Sequence, residues 1–203
     1  VMQELLDSGD EIRRISGVIS GTLSWLLCRY DGSKPFSEFV LEAQALGYTE
    51  PDPRDDLSGK DVQRKLLVLA RELKLPLELS DIQLEPLLPA GLELGSWADF
   101  WLQREQLDSF LLKVYQQASL EHKVLRYAAT IDGDKCRCGI VEVAASEPLY
   151  SIRDGENALA FYSAYYQPIP FVLRGYGAGT EVTAAGAFAD VLRTLNWTRE
   201  VSV

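Results

Sequence analysis

Apolar positions recur at helical spacing through most of the first 120 residues, then switch towards a period of two over the next fifty. Residues 2–9 have the pattern of a short helix. The run 14–20, with Ile15, Val18 and Ile19, reads as a strand that meets Gly21 and turns into a helix. That helix, 22–30, carries Leu23, Trp25, Leu26, Leu27 and Tyr30 around most of its circumference, the mark of a buried element. Asp31, Gly32 and Ser33 end it. A second helix is predicted over 35–46, with Phe36, Phe39, Val40, Ala43 and Leu46 on one stripe and Gly47 as its stop. Pro51 and Pro53 argue against both helix and central strand, so 47–60 is expected to be a loop. A helix over 59–73 follows, capped by Ser58, with Val62, Leu66, Leu69 and Leu73 facing inward. Residues 76–96 form a Pro/Leu-rich connection with room for one helical turn and one strand. Residues 97–120 read as one long amphipathic helix.

Strands are predicted at 124–131, 136–144, 158–166 and 170–173, the first two joined by a hairpin turn at Asp132-Gly133-Asp134. A Gly-rich turn at 175–179 leads into a last helix over 182–195. Helices followed by strands, without strict alternation, imply an α+β fold: an open mixed or antiparallel sheet covered by helices on one face. There is no internal repeat and no flexible Gly/Ser linker.

With 203 residues, the chain fits one large domain, or one domain plus a fragment, and can bury a core without a disulfide or metal staple. It carries 30 Asp+Glu against 20 Lys+Arg, a net charge of −10, which argues against nucleic-acid or anionic-membrane partners. No apolar run reaches the roughly 20 residues of a membrane span, and the first residues resemble neither a signal nor a transit peptide. The three cysteines, Cys28, Cys136 and Cys138, contain no Cys-x-x-Cys pair and fit a reducing, cytoplasmic setting. Cys136 and Cys138 point to one face of a strand, where small-hydrophobe packing is the expected role. With His122 as the single histidine, neither a His-ligated metal nor a Ser-His-Asp triad is expected.

The chemistry concentrates between Glu50 and Lys65. Glu50, Asp52, Asp55, Asp56 and Asp61 are interleaved with Arg54, Lys60, Arg64 and Lys65. The spacing is not that of a calcium loop. A charge cluster of this kind is commonly a solvated surface, and the i, i+4 pair Asp61/Lys65 could be a surface ion pair stabilising its helix by about 0.3–0.5 kcal/mol. The prolines, however, stiffen the loop. A lysine held beside a carboxylate at a substrate site is also a proton-transfer device.

The stretch GlyTyrThrGluProAspProArgAspAspLeuSerGlyLysAspValGlnArgLys, 47–65, closely resembles the signature of homoserine dehydrogenases. SerGlyThrLeuSer at 20–24 resembles the strand-to-helix turn before it, and GlyAlaGly-x-x-ValThrAlaAlaGly at 177–186 resembles the C-terminal motif of the same family. Residues 161–170 look most like the bacterial bifunctional aspartokinase–homoserine dehydrogenases. The resemblance extends over nearly the whole chain. It implies interconversion of L-homoserine and L-aspartate 4-semialdehyde by hydride transfer with NAD(P), in threonine, methionine and isoleucine biosynthesis. By the same resemblance Lys65 is the proton donor, and Glu50 and Asp61 are the acids that bind the substrate ammonium. Gly47, Tyr48 and Thr22 lie near the substrate, with Asp56 a further candidate, and Gly177 and Gly179 contact the cofactor. Asp52 and Asp55 are assigned to holding Arg54 and the loop.

The resemblance further implies that most cofactor contacts, and the family's sodium site, belong to a nucleotide-binding domain absent from this chain, which has no Gly-x-Gly-x-x-Gly βαβ unit. The expected division is a remnant of that domain at 1–13, a catalytic and dimerisation domain at 14–178, and a C-terminal helix and tail at 179–203 that packs back on the missing domain. The chain alone is therefore expected to be inactive. A homodimer through the sheet is expected, with Phe161, Tyr162, Tyr165, Tyr166 and Phe171 as the apolar surface. The competing reading is a non-catalytic assembly module whose acidic loop is structural. Convergence of Glu50, Asp61 and Lys65 on one pocket separates the two.

Overall fold

A computed structural model describes residues 1–177 and 179–200. Ala178 of the Gly-rich motif and residues 201–203 of the expected tail lie outside the described residues. The elements run α1 (Met2–Asp7), β1 (Ile12–Val18), α2 (Gly21–Arg29), α3 (Phe36–Ala45), α4 (Pro53–Leu57), α5 (Lys60–Glu72), a 3₁₀ turn (Leu79–Asp81) and β2 (Gln83–Leu84). They continue with α6 (Trp97–Gln103), α7 (Glu105–Leu120), β3 (Val124–Asp132), β4 (Lys135–Val143), β5 (Asn157–Ser163), β6 (Phe171–Gly175) and α8 (Thr180–Glu200). Among the described residues the strands form one six-stranded sheet in the order β2-β4-β3-β1-β5-β6. Only β2 and β4 pair in parallel, so the sheet is mixed, as expected of this α+β chain.

Register sorts the two faces. Ile15 pairs with Ile131 and with Phe161, and Ile131 with Cys136, so these side chains share one face. There they join Leu23, Leu26, Phe36, Val62, Leu66, Leu107 and Leu111 of the helices in the main core. Cys136 and Cys138 sit in this core as small hydrophobes, and burial pushes the Cys138 thiol up to about 12. The other face carries Arg14, Ser16, Ala160 and Tyr162. This face is open only in part. Residues 144–156 cross part of it, and Leu149 and Ile152 pack with Val18, Ala128, Val143 and Ala158 in a second, smaller core.

Several elements differ from expectation, each for a local reason. The loop at 47–60 contains α4. Pro53 occupies its first turn, where a missing N–H is harmless, and Asp52 accepts from Arg54 N at 3.0 Å as its cap. Ser58 closes α4 rather than capping α5, whose N-cap is Gly59 at φ +70°. The long helix at 97–120 divides at Arg104. Its Nη1 donates to the Trp101 carbonyl at 2.7 Å, the acceptor that residue 105 would use in an unbroken helix. β5 stops at Ser163, not 166. Buried Asp10 accepts from Ser163 Oγ at 2.6 Å and Tyr165 N at 3.1 Å, turning the chain out of the sheet. At the N-terminus Met2 and Leu5 of α1 pack on the main core, and β1 begins at Ile12.

Candidate functional site

The end of β1 and the start of α2 form one edge of a cleft. Ser20 is extended, and its Oγ accepts from Leu23 N at 3.2 Å, which caps α2 and places Gly21 and Thr22 at its first turn. The α3 C-terminus forms the next edge. Tyr48 N bonds Ala43 O at 2.9 Å and Gly47 N bonds Gln44 O at 3.0 Å, a Schellman closure that swings Tyr48 towards α2. Tyr48 stacks on buried Trp25 with ring centroids 5.3 Å apart, and its carbonyl accepts the Thr22 hydroxyl at 2.6 Å. The loop before α4 supplies Glu50, α4 supplies Asp56, and α5 supplies Asp61 and Lys65.

These pieces enclose a hollow of about 640 Å³, lined by Thr22, Gly47, Tyr48, Glu50, Asp56, Asp61 and Lys65 among others. All seven residues that the sequence assigned to substrate or proton transfer therefore meet in one place. Lys65 Nζ lies 2.8 Å from Asp61 Oδ2 and donates to Ile19 O at 3.2 Å. An ammonium has three N–H bonds, so one remains for a ligand. The Glu50 carboxylate has no cationic partner among the described residues, while its backbone N–H donates to Asp56 Oδ2 at 2.8 Å. Burial pushes the Asp56 carboxyl up, and the hydrogen bond from the Glu50 N–H holds part of that rise back.

The remaining assignments divide. Asp52 does hold Arg54, pairing Oδ2 with Nη2 at 2.6 Å, and Arg54 Nη1 reaches on to Gly95 O at 3.0 Å. The pairing depresses the Asp52 carboxyl. Asp55 makes no hydrogen bond to Arg54; it lines a second acidic hollow of about 350 Å³ beyond Glu50 and Asp61. Gly177 lies in an adjacent apolar hollow of about 290 Å³ with Ile19, Asn157, Leu159, Leu173 and Tyr176. Tyr176 lines both this hollow and the main cleft. Gly179, at φ +133°, lines neither and precedes α8. Sequence reasoning missed Asp154, Gly155 and Tyr176 in the cleft lining. An Asp-Gly turn signal at 154–155 was available, but nothing local ties it to a loop a hundred residues earlier.

A family model described as homoserine dehydrogenase matches residues 1–192. The bifunctional aspartokinase/homoserine dehydrogenase of Haemophilus influenzae is 52% identical over 195 residues, covering 96% of this chain and 24% of that protein. The chain thus spans about a quarter of the length of such curated relatives. Among solved structures, a Candida auris protein of unknown function superposes with a TM-score of 0.88 at 34% identity, over 95% of this chain and 56% of that one. A hyperthermophilic archaeal homoserine dehydrogenase in complex with NADPH shares the fold, with a TM-score of 0.66 at 21% identity over 93% of this chain and 49% of that one.

Proposed function

The chain belongs to the homoserine dehydrogenase family of oxidoreductases, and from that premise we propose that it is the catalytic half of an NAD(P)-dependent enzyme that interconverts L-homoserine and L-aspartate 4-semialdehyde. The observation that carries the reading is the meeting of Glu50, Asp61 and Lys65 in one cleft with Thr22, Tyr48 and Asp56. Homoserine brings an ammonium group to this cleft. Glu50, without a cation of its own, and the open side of Asp61 receive it. In reduction of the aldehyde, a hydride adds to the carbonyl carbon, the C=O π electrons move to oxygen, and the third N–H of Lys65 gives its proton there. Lys65 is left as a neutral amine and the product is an alcohol. In oxidation the same amine takes the hydroxyl proton. Asp61 and the Ile19 carbonyl hold the nitrogen in place through both directions.

The apolar hollow beside the cleft fits a flat cofactor ring. At Gly177 a Cβ would lie 2.1 Å from Asn157 Nδ2, so any larger residue would have to displace the Asn157 amide from this slot beside Ile19, Leu159 and Leu173. A nicotinamide held there would supply or receive the hydride. Gly177 and Tyr176 would hold it from this chain, with most of the cofactor carried by the nucleotide-binding half of the complete enzyme. α8 suits packing against that half: Val182, Phe188, Val191 and Leu192 are all exposed on it.

A homodimer through the open sheet face is part of the same reading. The surface differs from the one expected. Phe161 is buried and Phe171 packs on the same helix-covered core, so neither can serve. Tyr162, Val172 and the exposed turn with Tyr165, Tyr166 and Ile169 remain.

Steady-state kinetics of the complete enzyme test the mechanism. Lys65→Ala is expected to lower kcat by about 10²–10⁴-fold with little change in KM for homoserine, because its proton acts on charge that develops in the transition state. Glu50→Gln should instead raise KM more than it lowers kcat. Near-normal kcat in Lys65→Ala would refute the proton-donor role.

A further inference from the structure

Arg126 is a buried cation that the chemistry above leaves unused. It is 4% exposed and, among the described residues, has no carboxylate partner. It donates instead to four main-chain carbonyls: Nε to Leu149 O at 3.1 Å, Nη1 to Leu125 O at 2.7 Å, and Nη2 to Tyr150 O at 2.7 Å and Ile152 O at 3.0 Å. Burying a cation with no counter-charge is unfavourable, and an apolar side chain would fill the space with less penalty. What the guanidinium does that an apolar group cannot is gather three carbonyls of one crossing segment. Cys28 Sγ adds a contact to Ile152 O at 3.3 Å. The segment then runs straight into the cleft lining. Asp154, at φ +46°, and Gly155, at φ +80°, are held left-handed in succession, and Ser24 Oγ ties the far end through Glu156 O at 2.8 Å. Asp154 sits 3.5 Å from Arg29, and a Cβ on Gly155 would already lie 3.4 Å from Gly21 O and 3.9 Å from the Tyr48 ring. A non-glycine residue in the left-handed region persists only where its surroundings hold it there.

We propose that Arg126 is a positioning residue for the substrate: from the far face of the sheet it holds Asp154 and Gly155 as a wall of the cleft, against Gly21 and Tyr48. This rests on the reading that the cleft binds homoserine. The test is steady-state kinetics of the complete enzyme, with thermal unfolding measured alongside. Arg126→Met should raise KM for homoserine by roughly tenfold or more, with kcat within about threefold and KM for the cofactor unchanged. Arg126→Lys should not restore the homoserine KM, because three hydrogens on one nitrogen cannot span the carbonyls that the planar fork reaches. If Arg126→Met does not fold, Ser24→Ala, which removes the tie to Glu156 and a longer contact with Cys28 Sγ, should raise the homoserine KM severalfold in the same selective way. A lowered Tm with an unchanged homoserine KM in these variants overturns the proposal and leaves Arg126 as a structural anchor. A wild-type enzyme that does not oxidise homoserine refutes the underlying reading of the cleft instead.

Discussion

Gly59 joins α4, which bears Asp56, to α5, which bears Asp61 and Lys65, and replacing it by alanine is the most informative single perturbation of this fold. Its φ of +70° is open to glycine, but an L-residue there carries about 1–2 kcal/mol of strain. The added methyl also has no space. An ideal Cβ would lie 2.0 Å from Tyr127 Oη, 2.8 Å from Tyr127 Cζ and 3.2 Å from Leu84 Cδ1. Tyr127 is 1% exposed, with its hydroxyl bonded to Glu85 O at 2.8 Å, so it cannot swing away freely. Overpacking of this kind costs about 1–3 kcal/mol. The two effects together predict that Gly59→Ala lowers the unfolding free energy by about 2–5 kcal/mol. Urea unfolding, extrapolated linearly to water, measures it. The double variant with Tyr127→Phe separates the causes. Removing the hydroxyl relieves the closest contact but not the ring carbon or the left-handed backbone. The pair should therefore be less destabilised than the sum of the singles, with a coupling of about 0.5–3 kcal/mol. A Gly59→Ala protein within about 0.5 kcal/mol of wild type, the range of an ordinary surface change, would refute the argument. Strict additivity with Tyr127→Phe would sink its steric half.

Asp56 offers a pH test. Its folded-state carboxyl is raised by burial, so ionisation opposes folding above the ordinary carboxylate range and has no effect below it. Asp56→Asn should therefore gain stability relative to wild type as pH rises from about 3 to 7, read as the difference in Tm; a shift in the opposite direction would contradict the burial argument. Ser20→Ala removes the cap of α2 and should lower stability by about 1 kcal/mol in the same urea assay, and an unchanged midpoint would mean that the bond to Leu23 N contributes nothing. Lys65→Arg should recover little of the kcat lost in Lys65→Ala, since a guanidinium does not release its proton near neutral pH; full recovery would make Lys65 a positioning charge. Light scattering should give twice the chain mass of 22.6 kDa, and Tyr162→Asp on the open sheet face should reduce it to the single value. A wild-type monomer would remove the proposed interface.

What the sequence determined by itself was whatever short-range physics decides. The stripe of Phe36, Phe39, Val40 and Ala43, the stop at Gly47, the hairpin at Asp132 and Gly133, and the Asp61/Lys65 spacing all depend on residues within a turn or two of one another, and all appear where expected. The signature at 47–65 is contiguous, so its acids and lysine could be read together as one site. The signal for α4, Asp52 before Pro53, is equally local, but a pair of prolines also reads as a helix breaker, and only the first turn of a helix tolerates one. Tertiary structure alone decided the rest. Alternation along β5 puts Phe161 on one face and Tyr162 on the other, but which face the helices cover follows from pairing with β1 and from the packing of α2, α5 and α7. The collision that demands glycine at 59 comes from Tyr127, and the left-handed wall at Asp154 and Gly155 is held by Arg126 and Ser24. In each case the deciding partner is tens of residues away in the chain. Burial and hydrogen-bond satisfaction act on neighbours in space, and periodicity along the chain carries no information about which neighbours those are.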